Sequence, residues 1–276
     1  MQQKIKMIGM DLDGTLLNER KELTAYSRKV LEQAISQGVT VLVATGRPIS
    51  GVPEELRTFP GMRYALTANG GRILDLKENK VIFESLVSTK SAEKILDVFE
   101  QYDTLREVYF EGISYVQQAA MDEIERYVAN PSMQKYIRAT KKTVPDVKAK
   151  VKEMNRGLDK VHAMFANREE RRAAWEELAK IPDITISSAL DNNIEINGKD
   201  VNKGKGLLKL GEMLGIRREE IMACGDGLND LQMLREVGFA VAMENGAEEV
   251  KLAADYITVS NEEDGVAKAI EKFVLA

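Results

Sequence analysis

Short apolar runs rich in β-branched residues alternate with amphipathic stretches in the first and last thirds of the chain. Ile5 to Met10 reads as a buried strand that stops abruptly at Asp11-Leu12-Asp13-Gly14-Thr15. A helix follows: Thr24 is placed to cap it, Val30, Leu31, Ala34 and Ile35 share one face, and Gly38 stops it. Val39 to Ala44 is apolar throughout, as a strand covered on both faces is, and Thr45-Gly46-Arg47-Pro48 closes it. Strand, helix, strand at this spacing predicts a βαβ unit. Tyr64 to Ala68 is a third strand ending at Asn69-Gly70-Gly71. Ile73-Leu74 and Val81-Ile82-Phe83 flank a polar Lys77-Glu78-Asn79 tip as a hairpin does.

The rhythm changes between about Ser85 and Leu190. A helix with Ala92, Ile95, Leu96, Phe99 and Tyr102 on one face precedes two strand-like pieces, Leu105 to Phe110 and Ile113 to Val116, joined at Glu111-Gly112. Val161 to Phe165 and Ile184 to Ser187 then bracket a charged helix containing Trp175. Strands paired by tight turns beside helices predict an α+β unit with an antiparallel sheet. From Asn193 the alternation resumes: Ile194 and Ile196 in a strand, a helix with Leu207, Leu210 and Leu214, and the strands Ile221 to Cys224, Phe239 to Met243 and Tyr256 to Val259, with a last helix from Gly265. The expectation is a discontinuous α/β core over residues 1–84 and 189–276, interrupted by an inserted α+β domain over residues 85–188.

Composition narrows the function classes. Apolar residues are 44% and charged residues 30% of 276, a soluble globular mix, and no apolar run is long enough to span a bilayer. Lys plus Arg number 39 against 44 Asp plus Glu, so the net charge of -5 gives no global field for nucleic acid or anionic lipid. Neither nucleic acid nor membrane is expected as a partner, and a monomer is favoured over an obligate oligomer. The lone Cys224 makes no internal disulfide, and the start runs straight into a strand rather than a cleavable signal, which points to the cytoplasm.

In a parallel sheet, ligands bind at the carboxyl ends of strands, and the polar groups there are Asp11, Asp13, Thr45, Lys203, Asp226 and Asp230. Two carboxylates one residue apart repel unless a cation or proton relieves them. With Asp226 the set is all oxygen and suits Mg²⁺ rather than zinc. Gly14 permits a turn whose N–H groups can face an anion, and Thr45, Gly46 and Lys203 add donors and positive charge. These parts describe a phosphate site with its own nucleophile, an aspartate, and a second carboxylate, Asp13, to protonate the leaving alcohol and then activate water.

Asp11-Leu12-Asp13-Gly14-Thr15, Thr45-Gly46-Arg47, Lys203 in VNKGKGL and Gly225-Asp226-Gly227-Leu228-Asn229-Asp230 resemble, in order, the four motifs of the haloacid dehalogenase superfamily. Thr67-Ala68-Asn69-Gly70-Gly71, Val241 to Ala247 and Ser260 to Val266 are similar to its Cof-type branch of sugar-phosphate phosphatases. Relatives commonly have a plain Asn-Ala pair where this chain has Asn245-Gly246-Ala247. The resemblance implies a Rossmann-like core, Mg²⁺, and phosphate monoester hydrolysis with Asp11 as nucleophile. It implies that Asp11, the Asp13 carbonyl and Asp226 hold the metal with support from Asp230. Thr45, Gly46, Lys203 and Asn229 would touch the phosphoryl group, and Arg47 and Asn69 would face the substrate. About thirty residues separate the first two motifs and more than 150 the second from the third, so the resemblance implies a type IIB cap that closes over the site.

The expected function is therefore a Mg²⁺-dependent phosphatase of small phosphate monoesters, sugar phosphates favoured, working through an aspartyl-phosphate. The alternatives are a phosphomutase with the same phosphoenzyme and a phospho-metabolite sensor without turnover. His162 and Trp175 are read as packing residues and Cys224 as a buried inert thiol. Lys135 to Lys160 holds nine basic against three acidic residues, a solvated face or, alternatively, a funnel for phosphorylated substrates.

Overall fold

The computed structural model describes residues 4–276. Among them fourteen strands form two sheets: β1 (Met7–Met10), β2 (Thr40–Ala44), β3 (Tyr64–Thr67), β4 (Arg72–Asp75), β5 (Lys80–Glu84), β6 (Thr104–Phe110), β7 (Ile113–Gln117), β8 (Lys142–Val144), β9 (Lys160–Phe165), β10 (Ile184–Ser187), β11 (Asn193–Gly198), β12 (Ile221–Gly225), β13 (Phe239–Met243) and β14 (Tyr256–Thr258). The described chain divides into two compact units. One comprises residues 4–46, Val52–Phe83 and Asn202–Ala276; the other comprises Arg47–Gly51 and Glu84–Val201.

The first unit is built on an eight-stranded sheet in the order β14-β13-β12-β1-β2-β3-β4-β5. Pairing is parallel from β14 to β3 and turns antiparallel at β3 and β4. β1 is buried along its whole length, which is why its residues are uniformly apolar or glycine. Met7, Leu42, Ala44 and Leu66 of the sheet pack with Leu207 and Leu210 of the helix Lys203–Leu214. The helix Ala25–Ser36 begins where its sequence says it should, with the Thr24 hydroxyl accepting from the Ser27 N–H at 3.0 Å. It buries Val30, Leu31 and Ala34. The β4–β5 turn is held by Asp75, whose Oδ1 accepts from the Lys77 and Glu78 N–H groups at 3.1 Å each.

The second unit is α+β. Its sheet runs β10-β11-β9-β6-β7-β8, antiparallel except between β7 and β8. On one face Phe99, Val108, Phe110, Phe165, Ile194 and Ile196 form a core with the helices Thr89–Phe99, Val147–Met154 and Arg168–Leu178. On the other, Leu105, Val116 and Met164 pack with Met121 and Ile137 from the helices Gln118–Asp122 and Pro131–Thr140. Trp175 is partly buried against the first of these cores.

The expected boundary at residue 189 needs correction. β11 pairs with β9 and β10, and the first unit resumes only at Asn202. Asn193, Glu195 and Asn197 alternate with Ile194 and Ile196 in this strand, and that period of two belongs to an antiparallel sheet with polar groups on one face. Those polar groups are buried but partnered: Glu195 pairs with Lys160 at 2.7 Å, and the Asn197 amide donates to the Asp159 carbonyl at 3.0 Å. His162 belongs to the same face. Asn193 Oδ1 accepts from Ser188 Oγ and from the Ala189 and Leu190 N–H groups, so Asn193 Nδ2 is the donor to His162 Nε2 at 3.2 Å. That contact makes the histidine a packed structural group.

The basic stretch is neither an even solvated face nor a row of free cations. Arg138, Lys141, Lys148, Lys150, Arg156 and Lys160 all have carboxylate partners, and the Lys141–Glu107 and Lys160–Glu195 pairs are buried. Those six partnered charges project little net field, while Lys135, Lys142 and Lys152 of the same stretch are exposed. Among the described residues no helix is long and apolar enough to cross a membrane.

Candidate active site

β1 has β12 on one side and β2 on the other, so the sheet reverses its winding direction at β1. In an open parallel sheet such a switch point leaves a crevice beyond the carboxyl ends of the strands. The residues that immediately follow these strands are the candidate site. Asp11 follows β1, its N–H bonded to the Cys224 carbonyl of β12 at 3.0 Å. Thr45 follows β2 and donates its N–H to Leu66 at 2.9 Å. Asn69, just beyond β3, donates its N–H to the Thr45 carbonyl at 3.0 Å. Asp226 follows β12, and Asn229 and Asp230 lie in the short turn after it.

Lys203 is the hub. It opens the helix Lys203–Leu214 after an Asn202 cap, is fully buried, and donates to Asp11 Oδ1 at 2.7 Å and Asp230 Oδ1 at 2.6 Å. The other oxygen of Asp230 accepts from the Asp226 and Gly227 N–H groups at 3.0 Å each. Both Asp230 oxygens are thus committed to protein donors, and the residue braces the lysine and the Asp226 loop together. Burial opposes the charge on Lys203, but the Asp11 and Asp230 carboxylates outweigh it and hold the ammonium above its ordinary range.

The acidic groups are crowded. Burial pushes the Asp11 carboxyl well above the usual carboxylate range; Lys203 pulls it down, while Asp230, Asp226 and Asp13 add to the rise. Asp226 is pushed up to about 6, first by burial and then by Asp230. Carboxylate oxygens of Asp11, Asp226 and Asp230 lie within 4.8 Å of one another. The donor set is all oxygen, without a cysteine or histidine, and the raised Asp11 and Asp226 carboxyls resist ionisation unless positive charge is added. Those two properties fit a hard dication such as Mg²⁺.

Gly14 makes the turn possible. Its φ is +79°, and a Cβ there would sit 2.3 Å from Asp226 Oδ2. Gly14→Ala is therefore expected to displace Asp226 and cut activity about 100-fold, since a misplacement of roughly 1 Å can cost that much. Steady-state kinetics beside circular dichroism checks it; near-normal turnover would contradict it.

Several supporting residues tie the loops together. Thr15 donates to Asp226 Oδ1 at 2.6 Å, joining the first and fourth motifs. Asn245 donates to the Gly14 carbonyl at 2.8 Å and accepts from the Asn261 N–H at 3.0 Å, while the Asn261 amide donates to Leu17 at 2.9 Å. These two asparagines tie the loop after β1 to the loops after β13 and β14. In the sequence they stood only as members of the Val241 to Ala247 and Ser260 to Val266 stretches, with no role attached. Gly246 follows from close approach: a Cβ there would lie 3.1 Å from the Asp226 backbone, which bonds Ala247 N–H at 2.9 Å.

Asp11, Thr45, Asn69, Lys203, Asp226 and Asp230 are buried or largely so, and Asp13, Gly46 and Asn229 are half-buried in the same unit. Arg47 belongs instead to the second unit. There it donates to the Gly51 carbonyl at 2.8 Å and stacks 4.4 Å over the Tyr136 ring. Cys224 is buried at the end of β12, its thiol pushed up to about 12 by burial, as expected of an inert cysteine.

A parallel sheet with a lysine-anchored acidic cluster at its switch point places the chain among the doubly wound α/β proteins with a ligand site beyond the strand ends. Residues 8–270 match the haloacid dehalogenase-like hydrolase family, and the chain belongs to it. It is 32% identical over 271 residues to the 5-amino-6-(5-phospho-D-ribitylamino)uracil phosphatase YcsE of Bacillus subtilis, covering 98% of this chain and 96% of that one. It is 30% identical to the phosphatase YwpJ of the same organism, over 95% and 98% of the two chains. A haloacid dehalogenase-like hydrolase structure from B. subtilis superposes with a TM-score of 0.86 at 28% identity, over 98% and 100% of the chains. The subclass IIB sugar phosphatase BT4131 does so at 0.81 and 27%, over 97% and 98%.

Proposed function

We propose that the protein is a Mg²⁺-dependent phosphatase that hydrolyses small phosphate monoesters through an aspartyl-phosphate on Asp11. The observation that carries this is the buried Lys203 ammonium held between Asp11 and Asp230 beside Asp226. A buried carboxylate that keeps one oxygen on a lysine is oriented for attack rather than free to rotate. Two relatives are named for a phosphorylated ribityl compound and for sugar phosphates, and the same class, phosphorylated sugars and polyols, is proposed for this chain. The second unit, Glu84–Val201 with Arg47–Gly51, is proposed to select the substrate, and the protein to act in the cytoplasm.

In the first step an Asp11 oxygen bonds to phosphorus, the bond from phosphorus to the leaving oxygen breaks, and the proton of the Asp13 carboxyl passes to that oxygen. In the second, Asp13 takes a proton from water, the water oxygen bonds to phosphorus, and the Asp11–phosphorus bond breaks to release phosphate. Such a proton donor is worth roughly 10²- to 10⁴-fold. Lys203 keeps Asp11 oriented and offsets the charge of the phosphoryl group, and Thr45, Gly46 and Asn229 supply donors to its oxygens. Asn69 faces the substrate. Asp11, the Asp13 carbonyl and Asp226 would hold Mg²⁺ with support from Asp230, and the bound ion would supply positive charge to neutralise the transferred phosphoryl group.

Phosphate release from 4-nitrophenyl phosphate tests this: activity is expected to vanish in EDTA and return with Mg²⁺, and equal rates with and without EDTA would overturn it. Stability follows the same charges. The Asp226 carboxyl is raised from 3.8 to about 6 in the folded protein, so the stability of its protonated form is complete below about pH 4 and lost as pH rises through about 6. The metal-free protein is thus expected to be less stable at about pH 8 than at about pH 5, and Mg²⁺ to raise the Tm more at the higher pH. Thermal unfolding at both pH values measures it; equal gains would contradict it.

A further inference from the structure

Lys21 lies in the loop that follows the Asp11 turn, and its Nζ meets Asp13 Oδ1 at 2.8 Å. The loop is tightly held. Leu16 and Leu17 N–H groups donate to the Asp11 and Leu12 carbonyls at 3.2 and 2.9 Å. Asn18, buried, closes the tip by accepting from the Glu22 N–H through its side chain at 3.0 Å, while the Lys21 N–H donates to the Asn18 carbonyl at 2.9 Å. Asn261 fixes Leu17 from below.

Stability does not account for a lysine at this place. Its φ is +65°, a left-handed conformation that glycine and asparagine adopt readily and lysine does not. The ion pair is about one-third exposed on each side, 36% and 33%, and exposed pairs contribute little. The backbone is thus held in an unfavourable conformation for a contact that stabilises weakly, and such outliers concentrate where function needs them. What the contact does is fix one oxygen of the Asp13 carboxyl from a loop anchored to the nucleophile's own turn.

We infer that Lys21 is a positioning residue for the proton-transfer step, holding the Asp13 carboxyl toward the leaving oxygen. The inference rests on the reading of Asp13 as acid and base. It makes Lys21 matter in proportion to how much the leaving group needs a proton: greatly for the basic alkoxide of a sugar or polyol, little for an activated phenoxide.

The test compares kcat/KM, which reports the first step, across aryl phosphates from 4-nitrophenyl to phenyl phosphate for the wild type, Lys21→Asn, Lys21→Arg and Asp13→Asn. Lys21→Asn is expected to lose about tenfold on phenyl phosphate and less than about twofold on 4-nitrophenyl phosphate, with Tm unchanged or raised because asparagine suits the backbone. Lys21→Arg, which keeps the cation, retains the wild-type slope. Asp13→Asn gives the steepest series. A Lys21→Asn series parallel to wild type while Asp13→Asn is steep overturns the role of Lys21 alone; an Asp13→Asn series parallel to wild type overturns the acid assignment and the inference with it.

Discussion

Replacing Asp11 with asparagine is expected to lower phosphate release by about 10⁴-fold or more, the scale seen when an enzyme loses its nucleophile. The fold is expected to survive. The asparagine side chain would keep an oxygen for Lys203, which also keeps its 2.6 Å bond to Asp230. The substitution removes one of the crowded acidic groups, and since burial, Asp230, Asp226 and Asp13 all push the Asp11 carboxyl up, its loss relieves repulsion in the metal-free protein. The Tm without metal is therefore expected to hold or rise while turnover disappears. Steady-state assays beside thermal unfolding measure both, and appreciable residual activity would remove Asp11 from the nucleophile's role.

Lys203→Met should damage both function and stability. The side chain is fully buried and makes two charge-assisted bonds across chain separations of 192 and 27 residues. Without it, Asp11 and Asp230 face each other with no cation between them, and breaking a buried pair by removing one partner costs about 3–5 kcal/mol. The sign of the pH effect follows from which charges remain. Protonation relieves the carboxylates, so the destabilisation is expected to be smaller at about pH 5 than at about pH 8. Denaturant titrations at both values check it. A loss that does not depend on pH would mean that packing of the lysine stem, rather than its charge, holds the site together.

What was legible in the sequence was local. β1 and β2 announced themselves as apolar runs, and Asp11, Thr45, Asp226 and Lys203 were legible as polar groups at the ends of such runs or at a helix start. The parallel α/β character of the core followed from strands alternating with helices, whereas the order of its strands did not. What was hidden depends on pairings that no local pattern encodes. Asn245 reaches Gly14 across 231 residues and Asn261 reaches Leu17 across 244, and nothing near either asparagine names its partner. β11 was misplaced because its alternation of Ile194 and Ile196 with polar residues was read only for its apolar half. The buried partners Lys160 and His162 that make the polar half possible lie in β9, some thirty residues earlier. The basic stretch misled for the same reason: its charge was countable, whereas Glu107, Asp97 and Glu100, which neutralise it, come from other elements. Arg47 was assigned by its place in a motif, and its stacking on Tyr136 was invisible at a separation of 89 residues.

The lysine hub, the metal cluster and Asp13 all serve one claim, that phosphate passes through a covalent bond to Asp11. Acid quench of the Mg²⁺-loaded enzyme within its first turnover on a labelled phosphate monoester, followed by peptide mapping, tests that claim most directly. The account predicts a hydroxylamine-labile phosphate on the peptide containing Asp11, absent from Asp11→Asn. Turnover with no trapped phosphate, or label on a peptide lacking Asp11, would contradict it.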